Sequence, residues 1–542
     1  MPPLPGPERR RLGLLIAWAA VLFSCGLWWG LPNDFTWAGD ELHPSTWPQA
    51  INPRTINGWH TRYPPLHFAL LQGLSAPLRF AAGHQWFDSK HLLTVLMVFS
   101  RLTSLAMALV TLWLLYRAAR EVLDERAALW TVFILASVAP YVYYAKMANL
   151  DAPYVMWFTL SLWMFLRILR EHRMRDYVVF AAAAAAAVCT KDQAYGLYSL
   201  APLPILISLW QRDYREQRYG LLRAALDRRL WAAALTAGVL FVFFQDLLFD
   251  PRRFLLHIRL LRGPMSENYQ DYAGTPLGQW DLLKSLAGLL RFALNPALFA
   301  VCLAGLGWTI WRLRSRTAGD DTRRLAATGM ILVSYYATFL VLILFCYDRY
   351  VLPMTVVLAL FGGAALGALT RPDGRLRGPR LALAAAIAAY SVLYAATVDF
   401  RLLAETRYQV EDWVAAHAQH PETVIAIGRH HHIARFRWVR WERALENDGK
   451  AIRNWQPEMI TVNLTDLRAP EEIAFVERLT NGELGYKLAV QLQGKPLVDL
   501  IPGNPDSSQR FINPEVAIFQ RVAPLDPASP PAPAAAENPE PE

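Results

Sequence analysis

Apolar residues run in long uninterrupted stretches up to about residue 398, and short polar stretches separate them. Stretches of this length predict helices that cross a bilayer, because about 20 apolar residues span its hydrocarbon core. The pattern predicts eleven spans, of which the fifth and sixth are short: 12–31, 92–116, 127–144, 153–169, 177–190, 194–210, 230–249, 286–311, 326–346, 351–369 and 379–398.

Basic residues in the loops predict the orientation of these spans. Most arginines lie in the N-terminal tail and in the gaps after even-numbered spans, as at Arg9–Arg11 and Arg228–Arg229. Cytoplasmic loops carry an excess of Lys and Arg, so this side is predicted to be cytoplasmic. We therefore expect a cytoplasmic N-terminus, two large outer loops at 32–91 and 250–285, and a C-terminal segment outside the cytoplasm.

The pattern changes after residue 398. Residues 399–522 are polar and indicate a small extracytoplasmic α/β domain, with strands at 423–428, 459–464, 487–492 and 516–521 and helices at 405–419 and 470–480. Residues 523–542 are rich in Pro, Ala and Glu, which predicts a disordered tail. The predicted fold is therefore mainly α: a polytopic membrane helix bundle of about 11 spans, residues 1–398, followed by the α/β domain.

Composition agrees with a membrane protein. Hydrophobic residues make up 54% of the 542 residues and charged residues only 18%, whereas soluble domains carry nearer a quarter. Four cysteines in a chain of this length exclude a disulfide scaffold. The net charge of +9 comes mainly from the arginines that predict orientation, so we expect no nucleic-acid partner.

Charged residues at the outer ends of spans are costly and therefore become functional candidates. In the predicted topology, separate outer loops bring them to one side of the membrane: Asp40-Glu41, Asp151, Lys191-Asp192-Gln193 and Asp348-Arg349. A carboxylate can take a proton from an acceptor hydroxyl or amine, and cations can hold a phosphate as negative charge grows on it. The carboxylates would be Asp40 and Asp151, and the cations Lys191, Arg349, Arg62 and Lys146. This inventory is typical of group transfer from a lipid phosphate.

The order of these motifs resembles the membrane-embedded glycosyltransferases of the GT-C class, in the protein-mannosyltransferase and aminoarabinose-transferase superfamily (glycosyltransferase family 39-like). The resemblance covers about residues 1–400. It implies a polyprenyl-phosphate sugar donor and inversion at the anomeric carbon. The matching stretches are Asp40-Glu41, Arg62-Tyr63-Pro64-Pro65-Leu66, Ser100-Arg101, Asp151, Thr190-Lys191 and Arg349-Tyr350-Val351-Leu352-Pro353.

The resemblance also implies roles for individual residues. Asp40, next to Glu41, would be the catalytic carboxylate that contacts the acceptor, and Asp151 would support the acceptor, a water network or a metal. Candidates for the donor phosphate would be Lys191, Arg349, Arg62 and Lys146. A sugar or acceptor pocket would involve His60, Tyr63, Asp192, Gln193, Glu267 and Tyr269, some of them in stretches that depart from many relatives. No cofactor is certain, and Mg²⁺ or Mn²⁺ shared by Asp40 and Asp151 stays open.

The predicted function is transfer of a hexose or pentose from a polyprenyl phosphate to an extracytoplasmic glycolipid, polysaccharide or protein. The alternative is a transporter or flippase of a lipid-linked sugar, which typically shows internal repeats and charges near mid-span. A non-catalytic scaffold would leave the acids of the first outer loop unexplained. The composition, rich in Ala, Arg and Pro, points to a bacterial inner membrane with the C-terminal domain in the periplasm.

Overall fold

The computed structural model describes residues 5–33, 36–51, 62–84, 91–217, 220–263, 270–315, 318–372, 377–446, 450–504 and 506–522. The chain divides into two compact units. The first, here called the membrane unit, contains Met1–Leu27 and Leu42–Ala395. The second, the α/β unit, contains Trp28–Glu41 and Ala396–Glu542. The predicted domain boundary at residue 398 lies near the second division, whereas no pattern in the sequence indicated that 28–41 group with the C-terminal residues. The predicted disordered tail, 523–542, lies outside the described residues.

Helices make up nearly all of the regular structure in the membrane unit. Their apolar runs explain their formation, and proline occupies the first turn of many of them, where its missing N–H costs nothing. The α-helices are Gly6–Ser24, Thr46–Ile51, Leu66–Leu74, Ala76–Gly83, Leu92–Ala119, Glu125–Ala136, Ala139–Ala145, Asp151–Glu171, Met174–Val188, Tyr195–Tyr198, Pro202–Leu209, Leu221–Ala225, Arg228–Phe244, Pro251–Arg262, Pro276–Leu294, Pro296–Leu313, Asp320–Tyr335, Val341–Ile343, Leu352–Leu369 and Arg377–Leu403.

Among the described residues, six helices are long and apolar enough to cross a membrane, or seven if the bent pair Glu125–Ala136 and Ala139–Ala145 forms one span. The chain is thus an integral membrane protein, but the predicted count of eleven spans is not confirmed. The predicted span 286–311 is wrong as a single helix, because one helix ends at Leu294 and another begins at Pro296. Asn295 between them has a φ of +62° and caps the second helix with its side chain.

Two glycines allow helices Glu125–Ala136 and Leu352–Leu369 to approach closely. A Cβ atom at Gly367 would lie 2.6 Å from the Cβ of Ala127, and one at Gly363 would lie 2.6 Å from the Ala127 carbonyl oxygen. Apolar side chains gain little by leaving lipid for protein, so membrane helices associate through close packing at small residues. Gly363 and Gly367 are therefore required for this contact.

The α/β unit is built on a five-stranded mixed sheet of order β2-β1-β3-β5-β4. Pairings β1–β2 and β1–β3 are parallel, and β3–β5 and β4–β5 are antiparallel. The four predicted strands are confirmed as β1, β3, β4 and β5, whereas the short edge strand β2 was not predicted. The strands are β1 Ile425–Ile427, β2 Arg437–Val439, β3 Met459–Asn463, β4 Tyr486–Leu492 and β5 Val516–Arg521.

Both faces of this sheet are covered by apolar side chains. Successive residues of a strand point to opposite faces, so Ile460 and Val462 join one cluster and Met459 joins the other. Helix Thr406–His417 packs on the second face through Val410 and Val414. The remaining α-helices of the unit are Trp441–Leu445, Lys450–Trp455 and Pro470–Thr480. The predicted helices at 405–419 and 470–480 are confirmed.

Candidate functional site

A buried ion pair joins two of the predicted site residues in the membrane unit. Lys191 donates from its Nζ to Oδ1 of Asp151 at 2.5 Å, and both side chains are almost fully buried. Asp151 begins helix Asp151–Glu171, where an acidic residue is favoured by the helix dipole. Lys191 follows helix Met174–Val188 in an extended conformation. The packing of the two helices therefore brings these side chains together.

Tyrosine and amide groups extend the polar region around this pair. The side-chain amide of Gln193 donates to the hydroxyl of Tyr154 at 2.6 Å. The Lys191 ammonium lies 5.7 Å from the centre of the Tyr154 ring, within the range of a cation–π interaction. The Tyr154 hydroxyl is also 3.5 Å from the carbonyl oxygen of Arg349. Lys191, Gln193 and Arg349 are thus close to one tyrosine.

A second buried carboxylate belongs to the same region. Asp348 has no exposed surface, and its Oδ1 accepts a hydrogen bond from Tyr144 at 2.8 Å. The charges of Asp348, Asp151 and Arg349 all act on Tyr144. The guanidinium of Arg349 lies 5.4 Å from the centre of the Tyr347 ring. The sequence had indicated Asp348 as charged but gave it no role, and it had not indicated Tyr144 or Tyr154. A tyrosine three residues after Asp151, on the same helix face, was the available signal.

The remaining predicted cations hold backbone or aromatic groups. Lys146 is fully buried and donates to the carbonyl oxygen of Leu22 at 3.0 Å, and Arg101 donates to that of Leu27 at 2.7 Å. The guanidinium of Arg62 lies 5.7 Å from the centre of the Tyr63 ring. In this structure Lys146 and Arg101 bind the backbone in the last turn of the first helix and just after it, and Arg62 contacts a ring at the end of the first outer loop.

Helix Pro251–Arg262 of the second outer loop contacts the same part of the membrane unit. His257 Nε2 and Asp192 Oδ1 are 3.0 Å apart. Arg253 is buried and donates to the carbonyl oxygen of Tyr63 at 2.9 Å. Asp192 and Tyr63, both predicted pocket residues, are therefore held by one helix. The other three predicted pocket residues, His60, Glu267 and Tyr269, lie outside the described residues.

Asp40 and Glu41 belong to the α/β unit rather than the membrane unit. Asp40 has a φ of +59°, a left-handed conformation that Asp and Asn adopt more readily than most residues. Glu41 is buried, and its N–H donates to the carbonyl oxygen of Ala38 at 3.4 Å. Asp40 thus lies in a tight turn at the end of segment 28–41.

The α/β unit also contains a buried histidine–aspartate pair. His432 Nδ1 and Asp466 Oδ2 are 2.7 Å apart, and Phe511 stacks on the imidazole. Burial is the main cause that lowers the pKa of His432 to about 4. Burial would raise the pKa of Asp466, but the hydrogen bond with His432 and the charge of Arg429 lower it overall. These groups follow the carboxyl ends of β1 and β3.

A metal site is not formed by side chains of the described residues, because these contain no group of three His, Cys, Asp or Glu placed to hold an ion. Asp151 has Lys191 as its partner instead. A cation and a metal ion compete for a carboxylate, so the residues present fit an ion pair better than a resident Mg²⁺ or Mn²⁺. A divalent cation on Asp40 and Asp151 stays an untested prediction.

Comparison with known proteins finds one family. Residues 90–241 match the model of the dolichyl-phosphate-mannose-protein mannosyltransferase family. The match contains Lys146, Asp151, Lys191, Asp192 and Gln193. It confirms the predicted resemblance to the protein-mannosyltransferase superfamily over this part of the chain. No curated protein matches.

Several solved structures of glycosyltransferases are similar at low sequence identity. ArnT from Cupriavidus metallidurans bound to undecaprenyl phosphate is 13% identical, with a TM-score of 0.47, over 94% of this chain and 98% of that one. AglB, the oligosaccharyltransferase from Archaeoglobus fulgidus in complex with an inhibitory peptide and a dolichol-phosphate, is 14% identical, with a TM-score of 0.44, over 83% and 69%. The Pmt1-Pmt2 complex from S. cerevisiae, bound to its sugar donor, is 17% identical, with a TM-score of 0.36, over 47% and 35%.

Proposed function

We propose that this chain is an integral-membrane glycosyltransferase that moves a sugar from a polyprenyl phosphate to an extracytoplasmic acceptor. The observation that carries the proposal is the buried Asp151–Lys191 pair inside the segment that matches the mannosyltransferase family. Buried charges are retained at functional sites of membrane proteins because they are otherwise costly. The named relatives are transferases, which supports the reaction class and leaves the sugar and the acceptor to experiment.

The donor phosphate would be held near Lys191. When the bond between the anomeric carbon and the phosphate oxygen breaks, the leaving phosphate gains negative charge, and a cation placed beforehand stabilises it. Asp151 holds the Lys191 ammonium in place through their ion pair. The carbonyl oxygen of Arg349 lies near the Tyr154 hydroxyl, and the guanidinium of the same residue would be a second cation for the phosphate.

Asp40 would act on the acceptor. An acceptor hydroxyl attacks the anomeric carbon, its proton passes to the Asp40 carboxylate, and the polyprenyl phosphate leaves with the electron pair of the broken bond. Attack opposite to the leaving group would invert the anomeric centre, as the resemblance implies. Glu41, beside Asp40 in the same turn, would be the second carboxylate of the catalytic pair.

The proposed function also requires a defined orientation of the chain in the membrane. The N-terminus would lie in the cytoplasm and the α/β unit in the periplasm of a bacterial inner membrane, because the arginine-rich loops are on the N-terminal side. The acceptor would be a glycolipid, a polysaccharide or a protein, and nucleic acid would not be a partner.

The test is Asp40→Asn, assayed for sugar transfer from a labelled polyprenyl-phosphate donor in reconstituted membranes. We expect a loss on the order of a hundredfold or more, because the acceptor proton loses its base. Asp412→Asn is the matched control, since Asp412 is exposed on helix Thr406–His417. Full transfer activity in folded Asp40→Asn would refute the role of Asp40. Movement of the labelled lipid across the bilayer without sugar transfer would favour the flippase alternative.

A further inference from the structure

Segment 28–41, here called the strap, belongs to the same compact unit as the C-terminal residues, and several of its described residues are bound to them. It begins shortly after the first helix, Gly6–Ser24, and ends with Asp40 and Glu41. Its contacts join residues that are more than 370 positions apart in the chain, as in the hydrogen bond between Trp29 and Glu405. These contacts indicate that the α/β unit holds the strap in place, which its sequence alone did not indicate.

A fully buried ion pair holds the start of the strap. Glu405 and Arg407 have no exposed side-chain surface and lie 2.8 Å apart. Glu405 Oε2 accepts a hydrogen bond from the indole N–H of Trp29 at 2.8 Å. The Arg407 guanidinium lies 4.3 Å from the centre of the Trp37 ring. Two of the three tryptophans of the strap, Trp29 and Trp37, are therefore packed against one ion pair.

Two further side chains hold the strap backbone. Arg435 donates from Nη1 to the carbonyl oxygens of Leu31 and Pro32, at 3.1 and 3.3 Å, while its Nε donates to Glu411 at 2.9 Å. The Tyr408 hydroxyl accepts a hydrogen bond from the N–H of Gly30 at 2.8 Å. Arg435 thus connects the strap to helix Thr406–His417 through a guanidinium whose planar shape can serve several acceptors at once.

Glycine is required at position 30, where the backbone of the strap lies against the Trp37 ring. Gly30 has a φ of +74°, and a Cβ atom there would lie 3.0 Å from the Trp37 ring. Closer to Asp40, the Thr36 carbonyl oxygen lies 3.2 Å from Nδ1 of His431. The Ala38 carbonyl then accepts from the Thr36 hydroxyl and from the Glu41 N–H. The turn that contains Asp40 is therefore anchored by the α/β unit on its N-terminal side.

We propose that the α/β unit positions Asp40 for catalysis, with Arg435 and Tyr408 as positioning residues that act only through the strap. This inference rests on the proposed function, in which Asp40 takes the acceptor proton. Displacement of a reacting group by about 1 Å can cost on the order of a hundredfold in rate, so the anchoring of a catalytic turn has a large effect. The α/β unit would then influence turnover without contacting the acceptor.

The test combines Arg435→Gln and Tyr408→Phe with Asp40→Asn in the full chain, in reconstituted membranes with the labelled polyprenyl-phosphate donor. Arg435 and Tyr408 are chosen because removal of Glu405 or Arg407 would leave an unpaired buried charge. We expect Arg435→Gln to lower kcat on the order of tenfold and Tyr408→Phe by less, with the KM for the donor unchanged. In the Asp40→Asn background, neither substitution should lower the residual activity further.

The control is Arg478→Gln, which removes an arginine that pairs with the exposed Glu483 on the same unit. Hydrogen exchange provides a measurement that does not depend on activity. The amides of residues 28–41 should exchange faster in Arg435→Gln, and their exchange rates should be unchanged in Arg478→Gln. Arg435→Lys, which keeps the charge and one donor group, should recover part of kcat. The inference is overturned if Arg435→Gln lowers activity by the same factor with and without Asp40, or if it behaves like Arg478→Gln. Full activity of Asp40→Asn would instead refute the proposed function.

Discussion

The membrane unit and the α/β unit use buried charges for different purposes. In the membrane unit, Lys191 pairs directly with Asp151, and neighbouring tyrosines complete a polar region between helices. In the α/β unit, Arg407 and Arg435 contact tryptophan rings and backbone carbonyls of a segment distant in sequence. In the proposed function the first arrangement prepares charges for a ligand, whereas the second fixes the course of a peptide segment. Substitutions of the same chemical kind should therefore have different consequences in the two units.

The largest expected effect is that of Lys191→Met, which leaves the buried Asp151 without its cation. We expect destabilisation by about 3 to 5 kcal/mol, because breaking one side of a buried pair costs this much, and loss of transfer activity. The double variant Asp151→Asn, Lys191→Met should regain stability but not activity. Thermal unfolding in lipid nanodiscs and the transfer assay measure the two quantities. Lys284→Met is the control, since Lys284 forms an exposed pair with Asp281.

The corresponding test in the α/β unit is Glu405→Gln, which removes the charge that faces Arg407. We expect destabilisation of about 3 kcal/mol, confined to the α/β unit. Hydrogen exchange should increase in residues 28–41 and 396–522 and stay unchanged around Asp151. An increase that reaches both units equally would contradict the distinction drawn between them. Glu483→Gln, at an exposed position, should change the rate of hydrogen exchange little.

Acid should weaken the α/β unit through His432. The pKa of His432 is about 4 in the folded unit and about 6.5 when unfolded, so the unfolded state binds more protons between these values. Stability should therefore fall as the pH drops from about 6.5 to about 4, by up to about 3 kcal/mol, and His430, with a pKa of about 3, adds to this loss. Below this range, protonation of Asp466, whose pKa is lowered, removes its contribution too.

Hydrogen exchange of the α/β unit at pH 7 and pH 5 measures this effect. His432→Asn should reduce the difference between the two conditions, whereas His417→Asn, at an exposed position, should keep it. A difference that persists unchanged in His432→Asn would show that another group is responsible.

The smallest expected effect is that of Tyr154→Phe in the membrane unit. The substitution leaves the Gln193 amide without its acceptor but keeps the Asp151–Lys191 pair, so we expect a loss of stability of about 1 kcal/mol. Transfer activity should fall by only a few-fold. A loss as large as that of Lys191→Met would indicate that Tyr154 contacts the substrate. Tyr390→Phe, on a half-buried part of helix Arg377–Leu403, provides the control for thermal unfolding.

Local patterns in the sequence predicted most elements and missed those that depend on position in the fold. Four strands of the α/β unit and its helices Thr406–His417 and Pro470–Thr480 follow from alternation or helical periodicity. Strand β2 was missed because Arg437–Val439 is short and lies in an arginine-rich stretch. The break at Asn295 was missed because apolar residues continue on both sides of it, although Asn followed by Pro is a typical helix start.

The sequence predicted which charged residues belong to the candidate site, but it did not predict which side chains contact each other there. The sequence indicated that Asp151, Lys191 and Arg349 lie on one side of the membrane, since each follows from the predicted spans. The partner Tyr144 depends on helix packing, which leaves no local signal, whereas the spacing of Tyr154 from Asp151 was a signal within one helix. The strap is the clearest case, because Trp29 and Glu405 are 376 positions apart and no local pattern in the sequence relates them.

The close contact at Gly363 and Gly367 bears on how the protein is made. These glycines face Ala127, which a ribosome synthesises much earlier, so the early helix enters the bilayer long before its partner exists. During this interval, the surface around Ala127 must be covered by lipid or by an insertion factor. A bulky residue at Gly363 would act late, after the earlier helices have been inserted. We would then expect chains that reach the membrane in normal amounts and are degraded there before assembly is complete.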